Sequence, residues 1–196
     1  MNIEEAIVEI NPVLNTELHP VYRHTAWELL FAQLKEYTDY KAKDKMTIGK
    51  HRQKNEDVRN VLGHSLKKDL ISDKVFFRHI KDFITIQYSH YKAKFPTIHT
   101  SNINQIDLLK YKPGGKYEIH SDHSFTTQRT LSCVINLNDE YEGGDFIFYK
   151  QNLKDEMKRI KCKKGTVLFF PSSFLYPHKV APITKGTRYS IVSWLI

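Results

Sequence analysis

The stretch Tyr111 to His123 reads YKPGGKYEIHSDH, and its residue types and spacing suit metal chemistry. Lys112-Pro113-Gly114-Gly115 predicts a tight turn, because Pro presets the first turn position and Gly accepts the positive φ that follows. On the strand after it, Tyr117, Ile119 and Ser121 alternate with Glu118, His120 and Asp122. The two-residue period of a strand puts His120 and Asp122 on one face. An imidazole beside a carboxylate makes a ligand pair for a divalent metal. A second histidine would complete a two-histidine, one-carboxylate facial set, which leaves positions open on Fe(II). His-x-Asp alone is a weak signal. Among ten histidines an acid two residues later arises by chance, and the polar face of a solvated hairpin explains the tripeptide as well.

The third ligand candidate is His178, on a strand after the corner FPSSFLYP. Arg188 follows ten positions on, a turn and a strand later. A hairpin between antiparallel strands brings such residues into one pocket. The guanidinium fork matches a carboxylate with two parallel bonds, so Arg188 suits a dicarboxylic cosubstrate. Taken alone, Arg188 could equally be a surface ion-pair partner.

These residues need a rigid frame. The chain has 196 residues, enough for one domain with a sizeable core. Its 40% hydrophobic and 12% aromatic content fits a globular protein, not a disordered one. Net charge is +8, which bears on partners more than on fold. The two cysteines, Cys133 and Cys162, each fall in an expected strand and read as buried free thiols. The opening MNIEEAIVEI lacks the pattern of a signal peptide, and no apolar run has the length to span a membrane. The expectation is a cytoplasmic protein without membrane contact.

In chain order, residues 1–19 are short and mixed. From Pro20, Ala26, Leu29, Leu30 and Leu34 recur at helical spacing. Residues 39–56 are basic and nearly coreless, and read as a solvated connection, a surface for an acidic partner or a lid. Asp57–Leu70 and Asp73 to about Phe95 read as two further helices. The second carries a face of Val75, Phe76, His79, Ile80, Phe83, Ile84, Gln87 and Tyr88. After Pro96 the period switches to two. Eight strands are expected, at Ile106–Tyr111, Lys116–His123, Arg129–Leu137, Phe146–Gln151, Met157–Lys163, Thr166–Phe170, His178–Pro182 and Arg188–Leu195. The predicted fold is α+β: a double-stranded β-helix, or jelly roll, over about 105–196, with a mainly helical layer from about 1–104 on one sheet. The whole of 1–196 reads as one domain.

Tyr111, Tyr117, His120-x-Asp122, Gly143-Gly144-Asp145, Lys164-Gly165-Thr166, His178 and Arg188, in this order, resemble the 2-oxoglutarate- and Fe(II)-dependent dioxygenases, in their prolyl 4-hydroxylase-like branch. The resemblance covers about residues 105–196. It implies that His120, Asp122 and His178 hold Fe(II). Arg188 would meet the distal carboxylate of 2-oxoglutarate, with Tyr111 and Asn136 beside the cosubstrate. Tyr117, Arg129 and Trp194 would line the substrate side, although Tyr117 and Trp194 also read as core aromatics and Arg129 as a solvent-facing residue. Two departures stand out. Phe146 replaces a small polar residue common near the cosubstrate, and Asn136 stands where some relatives have a tyrosine. Dioxygen is the implied co-reactant, ascorbate a candidate reductant, and a prolyl residue of a peptide or protein the implied substrate.

The alternatives are the same iron chemistry on a free amino acid, another small molecule or a nucleobase, and a jelly roll that binds a ligand without turnover. The basic residues are scattered, with no basic–aromatic stripe, so nucleic acid is not the expected partner. Nothing in the patterning specifies an oligomeric state.

Overall fold

A computed structural model describes residues 2–11, 21–48, 54–100 and 102–196. The chain opens with a 3-10 turn at Ile3–Ala6, strand β1 (Val8–Ile10) and helix α1 (Val21–Lys41). Three short strands follow, β2 (Asp44–Lys45), β3 (Arg59–Asn60) and β4 (Leu62–Ser65), and then helix α2 (Ile71–Lys94). The second half holds β5 (Ile103–Tyr111), β6 (Lys116–His120), β7 (Leu131–Asn136), β8 (Tyr141–Gly143) and β9 (Phe146–Tyr149). It ends with β10 (Glu156–Ile160), β11 (Val167–Pro171), β12 (His178–Val180), β13 (Ile183–Gly186) and β14 (Arg188–Leu195).

The strands form a large sheet in the order β1-β11-β7-β14-β5-β4-β2, a smaller one in the order β10-β9-β12-β6-β3, and a ribbon of β13 and β8. All the named pairings are antiparallel. The large sheet is buried on both faces. On β7, Leu131, Cys133 and Ile135 join the helix-side cluster with Phe31, Leu34, Ile80, Phe83 and Ile84. Val134 between them turns inward, toward Phe146, Phe148 and Phe170. Such two-sided burial explains why β7 is buried at every position and does not alternate between apolar and polar residues. The α+β jelly roll with helices on one sheet is the fold the sequence predicts.

Three expectations need correction. Asp57–Leu70 is not a helix; it forms β3 and β4, which pair with β6 and β5. Backbone hydrogen bonding to long neighbouring strands outweighs local spacing there. The first half is thus less purely helical than expected, since four of its short strands extend the sheets. On α2, Val75 and His79 face solvent, whereas Ile80, Phe83, Ile84 and Gln87 are buried. On α1, Leu34 is buried and Leu29 exposed, while the side chain of Ala26 lies outside the described residues. The basic stretch 39–56 begins inside α1 and contains β2, and its residues 49–53 also lie outside the described residues.

The turn joining β5 to β6 closes with the Gly115 N–H donating to the Lys112 carbonyl at 2.7 Å. Gly114 has φ +80, the value that follows Pro in a type II turn. The turn passes the chain from the large sheet to the smaller one, and Tyr111 before it and His120 after it line one cavity.

Candidate metal and cosubstrate site

β6 ends at His120, and β12 opens with His178 directly across from it. Asp122 follows two residues after His120, where the chain has left the strand. One ligand atom from each of these three residues lies within 4.8 Å of the others. His120 Nε2 is 3.6 Å from Asp122 Oδ1, and His178 Nε2 is 3.8 Å from Asp122 Oδ2.

The donor set fits a divalent metal. His120 Nδ1 lies 2.8 Å from the Glu118 carbonyl, and His178 Nδ1 lies 3.0 Å from the Tyr176 carbonyl. A carbonyl only accepts, so each Nδ1 carries the proton and each Nε2 presents a lone pair. Burial pushes His178 down to about 4, with the charge of His120 adding to the effect, so its ring is neutral at pH 7. Burial works against the Asp122 charge, but His178, His120 and the Ser132 hydroxyl outweigh it and hold the carboxyl well below the usual carboxylate range. Neutral imidazoles and an ionised carboxylate are the forms that ligate. Ser132 Oγ donates to Asp122 Oδ2 at 2.6 Å and lies 2.8 Å from Ser172 Oγ.

The three residues open on a cavity with about 400 Å3 of empty space, part of it continuous with solvent. Arg188 lines the same cavity. It is 1% exposed, sits opposite Tyr111 in the β14–β5 register, and carries its guanidinium 5.2 Å above the Tyr111 ring. Arg188 Nε donates to Asn136 Oδ1 at 3.1 Å, while Nη2 is buried with no partner. Such an orphaned donor matches an absent carboxylate. Gly144, at φ +69, leaves room for this arginine: a Cβ there would meet Ile183 Cδ1 at 2.4 Å and Arg188 Cδ at 3.2 Å.

Asn136 does not face the cavity. Its Nδ2 donates to the carbonyls of Asn138, at 2.5 Å, and Cys162, at 3.1 Å, and its Oδ1 takes Arg188 Nε and the Tyr141 hydroxyl. It orients Arg188 from behind, which differs from the direct role the resemblance implied. Phe146 lines the cavity and stacks on His178, with centroids 4.9 Å apart.

Tyr117, Arg129 and Trp194 come together with the metal candidates along a wider outer groove. Tyr117 stacks on His120 at 3.6 Å, and the Arg129 guanidinium lies 3.4 Å over the Trp194 ring. Arg129 Nη1 donates to the Asp122 carbonyl at 3.3 Å, so it does not simply face solvent. The groove and the cavity share Arg59, Tyr117, His120, Asp122 and Trp194, so one opens into the other. Arg59, in β3, was invisible to sequence reasoning because its segment reads as a helix. Its guanidinium lies 4.6 Å over Tyr117, extending the stack on His120. Ser132 and Asn136 left a usable signal: they are polar residues four apart, on one face of an otherwise apolar strand.

Residues 106–196 match the model of the 2OG-Fe(II) oxygenase superfamily. Over 68 residues the chain is 38% identical to prolyl 3-hydroxylase 2 of Homo sapiens, covering 35% of this chain and 10% of that protein. Over 98 residues it is 30% identical to a PKHD-type hydroxylase of Parvibaculum lavamentivorans, covering 48% of this chain and 42% of that one. The chain thus spans less than half the length of these curated relatives. In fold it is similar to a Trichoplax adhaerens prolyl hydroxylase solved with a hypoxia inducible factor oxygen degradation domain peptide fragment. The TM-score is 0.74 at 16% identity, over 97% of this chain and 83% of that one. The ordered motif from Tyr111 to Trp194 lies inside the matched span, so the second half of the chain is similar to the 2OG-Fe(II) oxygenase superfamily and, within it, to prolyl hydroxylases.

Proposed function

We propose that this protein is an Fe(II)- and 2-oxoglutarate-dependent dioxygenase that hydroxylates prolyl residues in a peptide or protein. The observation that carries the proposal is a cavity lined by both the His120–Asp122–His178 cluster and the buried guanidinium of Arg188, whose Nη2 has no partner among the described residues. When bound, iron and 2-oxoglutarate supply oxidative decarboxylation to succinate and carbon dioxide, with one atom of dioxygen inserted into a substrate C–H bond.

His120 and His178 contribute Nε2 and Asp122 a carboxylate oxygen. The Glu118 and Tyr176 carbonyls and the Ser132 hydroxyl keep those atoms aimed inward. Arg188, oriented by Asn136, receives the distal carboxylate in a low-dielectric pocket, where the pairing is strong. Tyr111 stands beside it, and burial keeps its hydroxyl protonated as a donor. Phe146 and Val180 give the cavity an apolar wall. Tyr117, Arg129 and Trp194 frame the mouth, where a prolyl residue would enter beside the metal candidates. Its similarity to prolyl hydroxylases supports the prolyl substrate. Two buried free thiols, Cys133 and Cys162, support a cytoplasmic setting, and no described helix is long and apolar enough to cross a membrane.

The test is succinate formation from 2-oxoglutarate with Fe(II) under air, comparing a proline-containing peptide, free proline and no substrate. The expected result is turnover stimulated by the peptide, one oxygen added to it by mass, and loss of both in His120→Ala and His178→Ala. Turnover that no prolyl compound stimulates would sink the prolyl substrate, and turnover that survives both substitutions would sink the iron site.

A further inference from the structure

The outer groove holds an electrostatic imbalance. Arg59 and Arg129 both line it, and both are spread over aromatic rings beside the metal candidates, Arg59 on Tyr117 and Arg129 on Trp194. Among the described residues neither forms an ion pair within 4.0 Å. The guanidinium hydrogen bonds they make go to main-chain carbonyls, Arg59 Nη1 to Thr47 at 2.8 Å and Arg129 Nη1 to Asp122 at 3.3 Å. Arg59 Nε is buried with no partner, as is the indole Nε1 of Trp194, a residue 6% exposed that lines both groove and cavity.

The other charges of the groove do not settle the account. Asp107 accepts from Ser65 Oγ at 2.6 Å and from Gln105 Nε2 at 2.8 Å, and leaves both guanidiniums without a direct partner. Lys45 is already committed to Glu56 and Asn60. What remains is a pair of half-desolvated cations with spare donors at the mouth of the site, on a chain whose net charge is +8. An anion between them would relieve their repulsion and use the fork geometry of both.

We propose that Arg59 and Arg129 select a peptide substrate carrying a carboxylate side chain next to the hydroxylated residue. This rests on the dioxygenase reading and adds to it a substrate class and one residue, Arg59, from outside the matched span. Arg129 contributes the second arm of the clamp. The position of Arg59 above Tyr117 and His120 brings the acidic side chain to the edge of the reacting centre.

The probes are short peptides with one proline, flanked by Asp, Ala or Lys, together with the Asp peptide in which the proline is replaced by Ala. Binding is measured by titration calorimetry on the protein loaded with Mn(II) and 2-oxoglutarate under nitrogen. The Asp peptide is expected to bind about tenfold or more tightly than the Ala peptide, the Lys peptide more weakly still, and the difference to shrink with salt. Arg59→Gln and Arg129→Gln should each reduce the discrimination. Arg59→Glu should move the preference toward the Lys peptide, a gain that misfolding cannot produce.

Equal binding of the Asp and Ala peptides overturns the proposal, as does discrimination that survives both glutamine variants, or no binding of any peptide. An acid preference that persists without proline keeps this proposal and sinks the prolyl reading. Hydroxylation of prolyl peptides regardless of flanking charge keeps the function and sinks this proposal.

Discussion

Arg188→Met separates what the buried guanidinium does for the fold from what it does for the ligand. In the free protein its charge is almost completely desolvated, with one hydrogen bond to Asn136 and an orphaned Nη2. Removing it forfeits a charged hydrogen bond, about 1.5–3 kcal/mol, but also lifts a desolvation penalty of roughly several kcal/mol. Asn136 Oδ1 still accepts from Tyr141, so no new buried acceptor is stranded. The ligand-free variant should therefore be no more than about 1 kcal/mol less stable than wild type. Ligand binding is another matter. Losing a desolvated carboxylate–guanidinium pair costs about 2–5 kcal/mol, roughly thirtyfold to several thousandfold in Kd for 2-oxoglutarate. The assay is thermal melting with Mn(II) under nitrogen, with and without 2-oxoglutarate at about a hundred times the wild-type Kd. Wild type should gain about 2.7 kcal/mol, which for a chain of this size is roughly 5–11 °C. The variant should gain under about 3 °C at the same concentration. A full ligand-induced shift in the variant refutes the cosubstrate role. A collapse of its ligand-free melting temperature refutes the view that the charge is a burden the fold carries for its ligand.

Two further predictions follow from buried hydrogen bonds. Ser132→Ala removes the donor on Asp122 Oδ2 and should weaken Mn(II) affinity about 10–100-fold by direct titration, with Ser132→Thr restoring much of it; unchanged affinity would show that the hydroxyl only fills space. Asp73 ties the start of α2 to Tyr37, His64 and the Lys67 N–H; burial raises its pKa, but those hydrogen bonds outweigh burial and lower it overall. A carboxyl lowered by folding stabilises above its unfolded value, near pH 4, and loses that contribution as pH falls through the folded value. Asp73→Ala should cost about 2–4 kcal/mol by urea denaturation at pH 7 and less as the pH drops below about 4; a pH-independent cost contradicts the assignment.

The metal cluster and Arg188 were legible because their signals are local. The Pro-Gly turn, the two-residue period and the ten-residue interval located the residues correctly, but not as hairpins: β5 and β14 lie in the large sheet and β6 and β12 in the smaller one, so the site's residues come from two different sheets. The eight expected strands all exist, with ends that move by a few residues, as at Lys116–His120, where the chain leaves the sheet before Asp122. Arg59 was not legible, because β3 exists only by pairing with β6 and has too few residues to express a period. The reassignment of Asn136 was hidden for a similar reason. Its partners Arg188 and Cys162 are distant in sequence, and only the closed sheet shows that the amide is occupied behind the arginine.

The three residues Val8–Ile10 have a consequence beyond their own contacts. They pair with β11 along the flank of the large sheet that β7 does not occupy. Without them, β11 would present an open row of amides and carbonyls from its apolar run Val167–Phe170, a template for pairing with another molecule. A very short strand carrying Glu9 at its centre ends that template and offers little of its own. Strand β1 thus acts as a guard against self-association, a protective task separate from any that the candidate site performs.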